Sequence, residues 1–213
     1  MVATHEPVEE LVSNYPELES CRSEIADAID VIADSMRENG KLLTCGNGGS
    51  AADSGHIVGE LLKGFEGDRP VPAETRQDLI DSYPDHGEYL ADHLQGSLPA
   101  VSLADHTAFL TAYANDVAAD MAFAQQVHGY GDSGDVLLGL STSGNSENVL
   151  HAIRVANVEG LATVGLTGPD GGQMNQHCDV VIRVPGDSTA EVQERHLPVY
   201  HTVCRALETE FFG

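Results

Sequence analysis

The chain reads as an α/β protein: one doubly wound, five-stranded parallel sheet flanked by helices, with long helices near both ends. Three observations predict this. Five short apolar segments are spaced along the sequence, most of them separated by stretches of helical period. The central one, Val136, Leu137, Leu138, Gly139 and Leu140, is apolar without a break, as a strand buried on both faces must be. Two segments run directly into polar loops, Gly46-Asn47-Gly48-Gly49-Ser50 and Ser141-Thr142-Ser143-Gly144-Asn145-Ser146. Sheets of this kind collect ligands outside the carboxyl ends of their strands, so both loops fall beside one crevice. With 213 residues, 41% of them hydrophobic, the chain can bury the core of one domain spanning 1–213.

Residues 16–40 place Leu18, Cys21, Ile25, Ile29, Ile32 and Met36 at three- and four-residue steps, which predicts a long amphipathic helix. Gly40 suits the position just past its end. A helix ahead of the first strand reads as an oligomer contact; cover for the chain's own core is the alternative. The first strand is predicted at 41–45, and the helix leaving the glycine turn at 51–62. Residues 64–98 resist a regular reading, with prolines at 70, 72, 84 and 99, although helices are predicted around 73–82 and 88–95. This stretch is either an active-site flap or an inert excursion.

The second strand is predicted at 98–103. Asp105 is placed to cap a helix over 106–113, which Asn115 and Asp116 end, and 121–130 is helical again. After a turn at 131–134 comes the third strand, at 136–140, and then the hydroxyl-rich loop. The helix that follows, over 147–155, has Val149, Leu150, Ile153 and Val155 as its apolar positions. A fourth strand is predicted at 161–166 and a fifth, rich in valine, at 179–184. A helix over 189–212 closes the chain.

Charge excludes some function classes. Asp and Glu number 34 against 10 Lys and Arg, a formal net charge of -24, and the lysines are Lys41 and Lys63. Such a chain lacks the basic patch through which nucleic acid or an anionic membrane is held. The acidity fits either a salty setting or plain solubility. No apolar run approaches membrane-spanning length, and the opening MVATHEPVEE has no basic region leading into an apolar one. Cys21, Cys45, Cys178 and Cys204 form no CxxC pair, so the expected location is the reducing cytoplasm.

Strand, short hydroxyl-rich turn and helix is the geometry that points free backbone N–H groups, and the positive end of a helix dipole, at an anion. Ser and Thr add uncharged donors. The loop at 141–146 therefore reads as a phosphate cradle, the plainer alternative being a solvated turn with an ordinary serine cap. In the glycine turn, Gly46, Gly48 and Gly49 let backbone approach a ligand closely. On the helix after it, His56 and Glu60 sit four apart on one face, suited to acid–base chemistry or metal ligation, or else to a plain exposed pair.

Together CGNGGSAADSGHIVGEL, ANDV, LLGLSTSGNSENVL, TVGLTG and TAEVQERHLPVYH resemble the sugar isomerase (SIS) domain family, in the same order from Gly40 to the C-terminus. The resemblance implies an aldose–ketose isomerase of a phosphorylated sugar, sedoheptulose 7-phosphate being the expected substrate. A non-catalytic phosphosugar-sensing or protein-binding module, or an isomerase of another ketose phosphate, is the alternative. It implies sugar binding by Asn47, Gly48, Gly49 and Ser50, phosphate binding by Ser141, Thr142, Ser143 and Ser146, and substrate contacts from Asn115, Asp116 and Gln193. It implies zinc held by His56, Glu60, Gln193 and His201, with Glu60 and His201 also the acid–base residues. It implies a homotetramer with sites at subunit interfaces.

Two features depart from the family pattern. Many members follow the glutamate with a Gly-Arg pair, whereas Glu60 precedes LLKGF, leaving Lys63 as the nearest cation, and the 64–98 stretch is longer than expected. The metal set also carries a tension. Gln193 and His201 are eight residues apart, about 12 Å along an ideal helix. Pro198 between them removes a helical hydrogen bond, so a kink is expected to bring them together; the alternatives are a ligand from the neighbouring subunit or long side chains that bend together. His196, three residues after Gln193, is read as structural.

Overall fold

A computed structural model describes residues 6–213. The first five, part of the stretch read above for a leader, lie outside the described residues. Five strands, β1 (Leu42–Gly46), β2 (Ala100–Ser102), β3 (Val136–Ser141), β4 (Ala162–Thr167) and β5 (Val180–Arg183), pair in parallel in the order β2-β1-β3-β4-β5. Every residue of β1 and β3 is buried, as their unbroken apolar runs require. Alternate side chains serve two cores. Leu42, Val136, Leu138 and Leu140 join one cluster, and Leu43, Cys45 and Leu137 the other.

Helices α1 (Glu6–Asn14), α2 (Arg22–Arg37), α3 (Gly49–Leu62) and α9 (Thr189–Phe212) cover the first face. Helices α7 (Ala122–Tyr130) and α8 (Glu147–Glu159) cover the second through Phe123, Val127, Val149, Leu150 and Ile153. Two further helices, α4 (Ala73–Ser82) and α5 (Gly87–His93), form a pair between α3 and β2, and α6 (Thr107–Asp116) follows β2. Among the described residues no helix is long and apolar enough to cross a membrane.

Several sequence expectations need correction. The helix expected over 16–40 is a 3-10 segment, Pro16–Cys21, followed by α2. Its apolar stripe, Ile25, Ile29, Ile32 and Met36, packs into the chain's own core, while Asp27, Asp30 and Asp34 face outward. The stripe therefore serves as core cover, the alternative named above. Its stop is made by Asn39, in the left-handed conformation at φ 65°, and not by Gly40. Asn39 N–H donates to Met36 O at 3.1 Å and Gly40 N–H to Ser35 O at 2.8 Å, a Schellman closure. Gly40 is there for space, since a Cβ would collide with Ser35 Oγ.

Asp105 does not cap α6 through its side chain: His106 holds the cap position with no side-chain bond. Asn115 and Asp116 lie inside the last turn of α6 rather than beyond it. Helix α1 was not read from the sequence at all. Residues 64–98 hold the two helices expected there, α4 and α5, which pack on each other with no buried residue in α4; the rest of the stretch is irregular.

The strand order decides where ligands go. From β1 the chain crosses to β2 on one side, and from β3 to β4 and β5 on the other. The connections part between β1 and β3, opening a crevice at their carboxyl ends.

Candidate active site

Both polar loops leave the two strands that flank this crevice. In the first, β3 ends at Ser141 and α8 begins at Glu147. Ser146 is the N-cap of α8, yet its hydroxyl caps no backbone N–H. It lies 2.9 Å from Ser141 Oγ instead. The ordinary serine cap is therefore not what the loop is for; of the first-turn N–H groups, that of Val149 donates to Asn148 Oδ1 at 3.0 Å, which leaves those of Glu147 and Asn148 for a ligand at the crevice. Gly144 turns the loop at φ 64°, and a Cβ there would strike the carbonyl of Gly171. Ser143 Oγ accepts from Asn145 N–H at 3.2 Å and is exposed.

The second loop departs from β1. Gly46 has no room for a side chain, because a Cβ would stand 2.6 Å from Ser50 O. Gly48 takes φ 57° and opens α3. Asn47 reaches across the crevice: its amide exchanges two 2.8 Å hydrogen bonds with Asn148 of α8. One reciprocal amide pair thus ties the glycine turn to the hydroxyl loop. Ser50 is buried in the first turn of α3.

Beside the loops stands a wall made by α3 and α9. The helices run side by side in the same sense, Gln193 meeting Gly49 and the Tyr200-His201 pair meeting His56. His56 Nε2 is 3.1 Å from Glu60 Oε1, and Lys63 Nζ donates to Glu60 Oε2 at 2.9 Å. The ring of His201 stands edge-on to that of His56, centroids 5.1 Å apart. Its Nε2 is buried without a hydrogen-bond partner.

Charge tunes these groups apart. Burial works to raise the Glu60 carboxyl, but the hydrogen bond and charge of Lys63 and the approach of His56 outweigh it. Glu60 is held below the ordinary glutamate range and is a carboxylate at neutral pH. Burial and the neighbouring His56 push His201 below the ordinary histidine range, so it is neutral there. A base and a neutral donor–acceptor thus share one surface. His196 is 0% exposed with both ring nitrogens unpaired, and burial pushes it down to about 4; a marginal approach from the Thr167 backbone works the other way. It faces the core, as a structural role requires.

Sequence reasoning missed the residue that secures the end of this wall. Arg69 is 1% exposed. It donates to Glu60 O at 3.1 Å, Leu61 O at 2.8 Å and Glu208 Oε1 at 2.6 Å, satisfying the carbonyls at the end of α3. Glu208 also accepts from the backbone N–H groups of Phe65, Glu66 and Gly67. The long stretch after α3 is therefore clasped at its base, and Gly96 N–H donating to Arg69 O at 2.6 Å closes the clasp.

Two expected contributions are not gathered here. Asn115 and Asp116 are exposed, and among the described residues the Asn115 side chain hydrogen-bonds that of Asp116 alone. Gln193 lies against Gly49, where a Cβ would come within 2.6 Å of its Nε2, and bonds none of the other three expected metal ligands. Helix α9 runs unbroken through Pro198, with Gln193 and His201 eight residues apart along it. Among the described residues no three His, Cys, Asp or Glu side chains are gathered to hold a metal ion. The donor types nonetheless fit a divalent cation: two imidazoles and a carboxylate, with His201 Nε2 unpaired.

Comparison with known proteins identifies the family of the chain. The model of the SIS domain family matches residues 8–77 and 91–168; the unmatched 78–90 fall in the α4–α5 pair. The phosphoheptose isomerase of Rhodospirillum rubrum is 40% identical over 191 residues, covering 90% of this chain and 88% of its own. That of Burkholderia pseudomallei is 40% identical over 86% of this chain and 80% of its own. The solved phosphoheptose isomerase of Neisseria gonorrhoeae superimposes with a TM-score of 0.73 at 32% identity, over 94% of each chain. That of Francisella tularensis gives 0.75 at 29% identity, over 93% of each.

Proposed function

The chain belongs to the SIS domain family and stands among its phosphoheptose isomerases, and on that premise we propose that it interconverts D-sedoheptulose 7-phosphate and D-glycero-D-manno-heptose 7-phosphate through an enediol. The observation that carries the reading is an ionised Glu60 and a neutral His201 on one wall beside an open phosphate cradle. The phosphate sits at the hydroxyl loop and α8, held by hydroxyls and backbone N–H groups in a chain with few cations. Its binding fixes the far end of the sugar and orients the reacting carbons.

Glu60 takes the proton from C1 of the ketose and returns it to C2, and the electron pair from the broken C–H bond becomes the enediol double bond. His201 moves the proton between the two oxygens, giving to O2 and taking from O1. Lys63 keeps Glu60 ionised at some cost in basicity, since the ideal base titrates near the working pH.

A divalent cation, zinc, belongs to the same proposal, held by His56, Glu60, His201 and Gln193; the unpaired His201 Nε2 supports it, and Gln193 at Gly49 is its weakest member. When bound, such an ion polarises the carbonyl and stabilises negative charge on the oxygens. We also propose a cytoplasmic homotetramer with sites at subunit contacts. The four cysteines are free thiols. Helix α6 buries none of its ten residues, although it carries Phe109, Leu110 and Tyr113, and it is the helix that bears Asn115 and Asp116.

The test is turnover of a panel of ketose phosphates with product identification. Conversion of sedoheptulose 7-phosphate to the aldose in preference to five- and six-carbon ketose phosphates is expected. Faster turnover of another ketose would move the substrate. Tight binding of all with no turnover would replace the enzyme by a sensing module.

A further inference from the structure

The wall between α3 and α9 contains a hydroxyl that the reaction above does not use. Tyr200 is 2% exposed, with Oη 3.0 Å from His56 Nδ1 and 3.2 Å from Asp53 Oδ1. Asp53 and His56 are three apart on α3, one face of the helix, and Tyr200 reaches them from α9. Counting hydrogens decides how the three are joined. A carboxylate only accepts, so the phenol gives its one hydrogen to Asp53. Its oxygen can then only accept, and what it accepts is an N–H on His56 Nδ1. Nε2 is then the ring nitrogen left to ligate, and it faces Glu60 Oε1 at 3.1 Å, where a proton or a cation can bridge the two.

We propose that Asp53 and Tyr200 are a positioning relay that fixes His56 in its Nδ1–H form, so that Nε2 is presented, already oriented, to a divalent cation beside Glu60. The relay deepens the metal part of the proposed function and rests on it. Its logic is that of any ligating histidine, whose far nitrogen must be tied down for the near one to stay aimed. Here the tie runs through a phenol to a carboxylate on the histidine's own helix.

The test reads the tautomer directly. Spectra of ¹⁵N-histidine-labelled, metal-free protein, with the His56 signals assigned by their loss in His56→Gln, should give the Nδ1–H pattern for the parent. Tyr200→Phe keeps the ring and its burial but removes the acceptor, and should lose that pattern. Its zinc affinity, measured by competition with a chromophoric chelator, should fall about 10–100-fold. The KM for the phosphosugar should hold while kcat falls. Asp53→Ala, at a partly exposed position, frees the phenol hydrogen to point at His56 and should convert the ring to its Nε2–H form. Asp53→Asn keeps a carbonyl acceptor and should restore the parental pattern. An Nε2–H parent, or a Tyr200→Phe protein with parental spectrum and zinc affinity, overturns the relay. Isomerase turnover is measured on the same samples, so a relay that stands in a protein without turnover would condemn the assigned reaction and not the relay.

Discussion

The two halves of the candidate site are built by different means. The phosphate side is backbone: two strand–turn–helix junctions on adjacent strands, with positive-φ glycines at 48 and 144 and one amide pair, Asn47–Asn148, between them. The proton-transfer side is side chain: His56 and Glu60 from α3, Tyr200 and His201 from α9, and Arg69 and Glu208 behind them. The first half needs only that β1 and β3 pair. The second needs residues about 140 positions apart to meet, and each is aimed by another side chain. A backbone site should lose function in small steps, and a side-chain site in large ones.

The largest structural effect should follow loss of Arg69. Removing one partner of a buried ion pair leaves an uncompensated charge and costs about 3–5 kcal/mol. Arg69→Met strands Glu208 and frees the two carbonyls at the end of α3. Chemical denaturation should register a loss of that size, with Glu208→Gln similar, and a loss below about 1 kcal/mol would mean the clasp is not structural.

His196 should give the next effect, and its sign is fixed. Its folded pKa lies below the unfolded value, so its contribution is full above pH 6.5 and is lost as pH falls towards about 4. Two and a half pH units at about 1.4 kcal/mol each make roughly 3.5 kcal/mol. Stability measured against pH should therefore fall less steeply for His196→Phe than for the parent over that interval. Parallel curves would remove the buried neutral histidine from the account.

The phosphate side should yield the smallest steps. Ser143→Ala or Ser146→Ala removes one hydrogen bond to a charged group among several, worth about 1–3 kcal/mol. KM should rise by that factor while kcat changes little. If both variants keep parental affinity for the phosphosugar, the hydroxyl loop is not the phosphate site.

The same division explains what could be read from sequence. The loops, the strands and the glycine turn are local patterns with their own periods, and the structure keeps them within a residue or two at most boundaries. Glu60 and His56 were legible for the same reason, four apart on one helix. Arg69 was not, because a single arginine in a proline-rich stretch has no period, and its three acceptors lie on α3 and α9. Tyr200 was not singled out, because its meaning depends on Asp53, 147 residues away. The stop at Asn39 was misread because glycine is the commoner left-handed residue, yet asparagine also tolerates that conformation. The apolar stripe of α2 reported burial correctly but could not say against what.

Glu60 tests the account most directly, because it belongs to the side-chain half while its failure should leave the backbone half intact. Parent and Glu60→Gln are compared for binding of sedoheptulose 7-phosphate by calorimetry, for turnover, and for metal content in the same samples. Loss of a general base costs about 10²–10⁴-fold in rate. The variant should bind the phosphosugar as the parent does and lose turnover by that factor. A Glu60→Gln protein that keeps its metal and isomerises at near the parental rate would contradict the assignment of the base.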